Sequence, residues 1–510
     1  MADTSTTSSS SRLEWLSAIG RIVLLALLAG HLLFRREFAH RNFGEALSAL
    51  GVSAPAFLNQ AYITETLLVF LLVPAALLIA WKRKGDPIPA RPGEFVLAHG
   101  LGPAFYVALA FVAWGAAHAA YAFVAGGRDN YLIVRQSALA AYAMLFACAY
   151  IFCGDRTRHV REAVFVAIGI SILCAIADAA GLLVPRQLNP LYPAENLFGQ
   201  QTLPLGILAL GLLFIYADGS WLWRGAALAG LAFLGWRQSL RIPQSAVVIG
   251  FAGALLAYLV LGACVAFRGQ VNTMKRAVLL AAFFGVLFLV YRGVSKADGQ
   301  QTKEVHAWSP ATYQRLFHIY ENTGIPEKLN ESTRKAGEIV KDPEVYKLNA
   351  VYHAAGSVSV INNMWRLLVW RRMFSDFRSG APFVGAGPGK AWFYPALYHS
   401  YFHYGDDREG LDPHNSFLNV LYRYGAIGFS LLALTIVIVL WTIWKALSRH
   451  PAGDALLEGL LIFFCYSATF AFFTVSLEGP SYSLPFWVSL GCAYAYARQI
   501  LRAREESLLG

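Results

Sequence analysis

The chain has 510 residues, of which 57% are hydrophobic and only 14% charged, where a soluble domain carries about a quarter charged residues. That balance excludes an ordinary soluble enzyme and indicates a polytopic membrane protein. The formal charge of +11 does not point to nucleic acid, because Lys and Arg fall mostly in short loops between apolar runs, where they set topology.

A bilayer core of ~30 Å needs about 20 mostly apolar residues per helical crossing. Residues 1–13 read as a Ser/Thr-rich, disordered tail. The apolar run after them has no convincing small-residue cleavage site and reads as a retained first span. Spans are predicted near 14–34, 62–81, 104–125, 133–153, 161–184, 201–217, 221–236, 244–267, 275–294, 422–445, 455–476 and 483–502. Ala246 through Ala266 is apolar all round, unlike the striped helices of a soluble core. The fold class is therefore all-α, with about twelve transmembrane helices, and the lipid bilayer is its first partner.

Basic residues set the orientation. Lys82, Arg83, Lys84 and Arg91 follow the second span, and Arg156, Arg158 and Arg161 follow the fourth. Arg268, Lys275 and Arg276 lie between the eighth and ninth, and Arg498, Arg502 and Arg504 end the chain. These loops read as cytoplasmic, with both termini inside; Arg35, Arg36 and Arg41 run against the pattern. Spans one to nine then occupy 14–294, and spans ten to twelve with a cytoplasmic tail occupy 422–510. The polar segment between them, 295–421, falls outside the cytoplasm and reads as a helical periplasmic cap. Its predicted helices are Pro310–Glu321, Asn330–Asp342 and an amphipathic Val358–Arg378. All six cysteines lie in apolar runs, so neither a disulfide framework nor a zinc site is indicated.

Chemistry-bearing residues crowd into the end of that cap. Trp365-Arg366 and Trp370-Arg371-Arg372 precede the run Gly385-Ala-Gly387-Pro-Gly389. Asp412-Pro413-His414-Asn415 and then Gly425-Ala-Ile-Gly428 follow. Arginine binds phosphate oxygens in a bidentate way and holds its charge at any working pH. A histidine near its ordinary pKa accepts a proton from a hydroxyl. Together they suit transfer of a group away from a phosphate leaving group. The glycine run reads either as a tight turn or as a phosphate-cradling nest. Asp406, Asp407, Glu409 and Asp412 read as a solvated acidic loop in preference to a divalent-metal site.

The order of these pieces resembles the O-antigen ligase and polymerase family. Its members are membrane glycan transferases of the C type that use polyprenyl-pyrophosphate-linked donors. In that family an Arg-led helix runs into a Gly-x-Gly-x-Gly turn, and a His-Asn pair opens the next span. A glycine stands ten residues after the Asn, as Gly425 does after Asn415. A second family element, a Ser-Arg pair before a middle span, corresponds to Trp236-Arg237-Gln-Ser239-Leu240-Arg241. Leu240 interrupts the pair and leaves Arg237 and Arg241 as alternatives. Asn196-Leu-Phe-Gly199 is a looser echo, and Arg423 stands where the family commonly has an acidic residue.

The resemblance implies His414 as base on the acceptor hydroxyl, with Arg366 and Arg241 (or Arg237) on the donor pyrophosphate. Arg135, at the outer start of the fourth span, is a further phosphate candidate, and a snorkelling anchor is its other reading. Gly385, Gly387, Gly389, Asn415 and Gly425 carry the motif. The resemblance implies no cofactor and no metal, and inversion at the anomeric carbon. The expected activity is transfer of the glycan to a lipid A–core hydroxyl at the periplasmic face of a bacterial inner membrane. A polymerase joining lipid-linked repeats is the sister alternative. A non-enzymatic lipid or glycan transporter is the third; it would favour repeated halves, which the sequence lacks.

Overall fold

The computed structural model describes residues 5–33, 51, 62–82, 101–126, 130–153, 168–177, 179–180, 204, 206–208, 210, 221–239, 245–267, 272–282, 285, 310–322, 351, 354, 358–389, 415–449, 454–474, 477 and 479–509. Among them the chain is helical, and five helices are long and apolar enough to cross a membrane: Ile63–Trp81, Pro103–Ala125, Leu132–Cys153, Val247–Ala266 and Ser416–Arg449. Each coincides with a predicted span, and the protein is an all-α polytopic membrane protein. Twelve helices carry labels below; two of them belong to the cap, so the labels do not count crossings.

Helix α1, Ser5–Leu33, begins inside the Ser/Thr-rich stretch expected to be a disordered tail. Helix formation is cooperative, so the apolar segment from Leu16 onward carries its helix back into poorer helix formers. Helix α2, Ile63–Trp81, passes through a π turn at Leu68–Leu72. Helix α3 is Pro103–Ala125, opened by Pro at its first position. The fourth predicted span is two helices, α4 (Asn130–Ala141) and α5 (Met144–Cys153). They are joined by tightened bonds at Tyr142 and Ala143, such as Leu145 N–H to Tyr142 O at 2.9 Å. The order continues with α6 (Trp221–Ser239) and α7 (Ser245–Ala266).

The cap helices α8 (Pro310–Asn322) and α9 (Val358–Ser379) follow, matching two predicted pieces. The third, Asn330–Asp342, lies outside the described residues. Helix α10 (Ser416–Arg449) starts six residues before the predicted span at 422. Helices α11 (Ala455–Ala471) and α12 (Pro480–Leu509) complete the chain.

Helix α10 packs on α3 and α12, α7 on α11, and α5 on α12. Their shared core holds Phe105, Phe111, Phe146, Tyr424, Tyr466 and Trp487. Between helices in lipid, close packing and polar contacts replace the hydrophobic drive. Gly115 lies against Ala140, and Gly491 against the Phe146 carbonyl. One polar knot is fully buried: the Glu458 carboxylate accepts from Tyr258 and from Thr273 Oγ1 at 3.3 Å. Arg276 lies 3.6 Å from it, so α7, α11 and the 272–282 helix are tied at the end predicted to be cytoplasmic. In the cap, Leu316, Val351 and Met364 form a small separate core that holds α8 to α9.

Candidate active site

The helix carrying the family-like glycine is broken. Gly425 has φ 68° and ψ −172°, so α10 is a short helix to Tyr424 followed by a long one from Ala426. A break leaves the last carbonyls of one part and the first amides of the next without intrahelical partners. In a membrane every such group must be satisfied by protein. The glycine turn does this. Ala386 N–H donates to Tyr422 O and Gly387 N–H to Arg423 O, both at 2.8 Å. Ala426 N–H donates to Pro382 O at 2.8 Å and Ile427 N–H to Phe383 O at 3.1 Å. Trp114 Nε1 on α3 covers the Tyr424 carbonyl at 3.0 Å.

The glycine spacing follows from that docking. Gly385, Gly387 and Gly389 all have φ between 73° and 82°, a region that side-chain-bearing residues rarely adopt. A Cβ on Gly385 would overlap the Gly425 amide and the Arg423 carbonyl. The amides of the turn are also committed: Gly385 N–H donates to Ala381 O at 2.7 Å and Gly389 N–H to Gln136 Oε1 at 2.6 Å. With Ala386 and Gly387 engaged as above, these four donors are not available to a phosphate. The turn acts as a clamp on the broken helix, and the phosphate-nest reading loses its donors.

Asn415 opens α10, as its residue type suggests. Its Oδ1 accepts from Leu418 N–H at 2.9 Å. Ser416 anchors the same point, donating to Thr474 O at 3.2 Å and accepting from Leu477 N–H at 3.0 Å. All of the first segment of α10 except Leu421 is buried, including Arg423 at 0% exposure, whose Nε donates to Asn419 Oδ1 at 2.9 Å. Tyr424 is the hub behind it. Its hydroxyl donates to Gln136 O at 3.0 Å, and His118 stacks edge-on between it and Trp114.

The arginines separate by their surroundings. Arg135 Nη1 lies 2.7 and 2.8 Å from the two Glu65 oxygens, with its guanidinium 3.8 Å over the Tyr62 ring. Glu65 also accepts from Tyr142 Oη at 2.6 Å and from Tyr62 N–H at 2.9 Å. The charge of Arg135 is thus already balanced by a carboxylate. Arg371 pairs with Glu321 at 2.7 Å, with both side chains more than half exposed, a surface bridge that contributes ~0–1 kcal/mol. Arg237 ends α6 and lies 5.2 Å over Trp236. Arg366 differs. It is partly buried on α9, burial lowers its pKa, and its buried Nε has no hydrogen-bond partner among the described residues. A guanidinium does not deprotonate at working pH, so this is a desolvated cation without a described counter-ion.

His414, Arg241, Lys390 and the acidic run Asp406–Asp412 lie outside the described residues. Two residues in the site were missed by motif reading: Glu65 and Gln136. Both are polar residues near the start of apolar runs, and an ionisable group there is a functional signal by default.

A break in a membrane-length helix, clamped by a glycine turn and joined by the polar groups of Gln136, Asn419 and Arg423, marks the candidate site of this polytopic membrane protein. Residues 203–433 match the family model described as O-antigen ligase. The match takes in α6, α7, α8, α9, the glycine turn and α10 as far as Ala433, and it leaves out Glu65, Arg135 and Gln136. No curated protein and no solved structure matches the chain significantly.

Proposed function

We propose that this protein transfers a glycan from a polyprenyl-pyrophosphate carrier to a hydroxyl acceptor at the periplasmic face of a bacterial inner membrane. The observation that carries the reading is Arg366, a desolvated cation without a described carboxylate, on a helix that leads directly into the clamp of the broken helix. Transfer off such a carrier builds negative charge on the departing pyrophosphate, and a fixed guanidinium stabilises that charge. In the reaction the acceptor oxygen attacks the anomeric carbon, and its proton passes to His414. The bond from that carbon to the phosphate oxygen breaks, and polyprenyl pyrophosphate leaves against Arg366 and Arg241. One direct displacement inverts the anomeric centre. The family match supports this type of chemistry.

A bidentate phosphate contact is not replaced by a point charge. Arg366→Lys is therefore expected to lose nearly as much transfer as Arg366→Ala, about tenfold or more. Arg371→Lys is expected to stay within about twofold, as a solvated pair allows. Transfer of a lipid-linked glycan by each purified, correctly inserted variant measures this. A normal rate for Arg366→Lys would reduce it to an interfacial anchor.

Ligase and polymerase share this machinery, and the ligase reading is the one put forward. A deletion strain is expected to lose capped lipopolysaccharide and to accumulate lipid-linked polymer on gels. Lipopolysaccharide capped with single repeats would instead make the protein a polymerase.

A further inference from the structure

Gln136 stands outside the family match and belongs to none of the motifs, yet it joins three separate parts of the chain. It lies on α4 and is only 4% exposed. Its side-chain Oε1 takes the Gly389 amide at 2.6 Å, and its main-chain oxygen takes the Tyr424 hydroxyl at 3.0 Å. Gly389 ends the glycine turn, and Tyr424 ends the first segment of broken α10. Gln136 thus ties the end of the glycine turn to the end of the first segment of α10; in the sequence the stretch between those two elements ends at His414.

The amide cannot turn over, because only an oxygen accepts from Gly389 N–H. That leaves Nε2, which is buried and has no hydrogen-bond partner among the described residues. An unpaired buried donor destabilises the fold. A methionine of similar length would remove that penalty, at the loss of the Gly389 bond. The Gly389 amide is itself buried and would then be the unpaired donor, so stability alone does not choose between glutamine and an apolar residue here.

We propose that Gln136 is a positioning residue for glycan transfer: through Gly389 and Tyr424 it holds the glycine turn against the broken helix, the two described elements that flank His414 in the sequence. This inference rests on the transferase reading above. A positioning role predicts that the chemical step suffers while donor binding, carried by the arginines, does not.

The test compares Gln136→Met, which removes the acceptor, with Gln136→Glu, which keeps an oxygen for the Gly389 amide. Full-length protein in lipid nanodiscs is used for both. Amide hydrogen exchange of the peptide containing Gly389 should be faster in Gln136→Met by about tenfold or more and near wild type in Gln136→Glu. Transfer kcat should fall about tenfold in Gln136→Met, with KM for the lipid-linked donor within about twofold and melting temperature little changed, and Gln136→Glu should recover it. Unchanged exchange in Gln136→Met would overturn the clamp. Restored protection without restored kcat in Gln136→Glu would also overturn the proposal, assigning the effect to Nε2. A wild-type protein that transfers no lipid-linked glycan would end the transferase reading instead, while the exchange comparison still decides whether Gln136 holds Gly389.

Discussion

His414→Ala is expected to lower glycan transfer about a hundredfold or more, the range of a lost general base. The physical ground is the anchoring of its neighbour. Asn415 caps α10, and Ser416 is bonded on both sides to Thr474 and Leu477. In the sequence His414 directly precedes this anchored helix start. Arg366 sits on a different element and is untouched by the substitution, so donor affinity is expected to hold. The sign with pH follows from the role. A base acts in its neutral form, so the wild-type rate falls as pH drops through the imidazole titration, ordinarily near pH ~6.5. That acidic limb should disappear in His414→Ala. A purely structural histidine behaves in the opposite way: the alanine variant expresses poorly, and His414→Gln, which keeps a hydrogen bond, restores turnover. A fully active His414→Gln protein would end the general-base assignment.

Gly425→Ala is the second large effect, and it acts through the backbone. The pair φ 68°, ψ −172° is open almost only to glycine and costs another residue about 1–3 kcal/mol. Space adds to the strain: a Cβ there would fall inside contact distance of the Phe383 carbonyl and the Gly385 amide. Neither is the flexible end of a side chain, so turn and helix must separate. Separation frees the Tyr422 and Arg423 carbonyls, on buried residues, and the Ala426 and Ile427 amides. Gly425→Ala should lower the melting temperature of purified protein by several degrees and abolish transfer, since the glycine turn and α10 no longer dock. Gly428→Ala supplies the comparison. Its Cβ would meet side-chain carbons of Tyr424 and Trp114, and its backbone is helical, so a milder loss is expected. If Gly425→Ala folds, melts and transfers like wild type, the broken-helix account of the site fails.

The membrane class, the placing of the long apolar helices and the two described cap helices were legible in the sequence, because they depend on local quantities. Apolar length against bilayer thickness sets Pro103–Ala125 and Ser245–Ala266. Residue type marked Asn415 as a cap, and the family-like spacing of ten residues after it singled out Gly425. The reason Gly425 is needed was not legible. It depends on a turn forty residues earlier in the chain, whose Gly385 meets it backbone to backbone. Likewise Arg135 and Arg366 look alike in sequence, each an arginine beside apolar residues. Only packing brings Glu65, seventy positions away, onto Arg135 and leaves Arg366 without a described carboxylate. Gln136 was silent for the same reason: its partners Gly389 and Tyr424 are 253 and 288 positions away. Local sequence determines where a helix lies and where it is capped. Which charges are neutralised, and which amides are already bonded, is decided by contacts between distant segments.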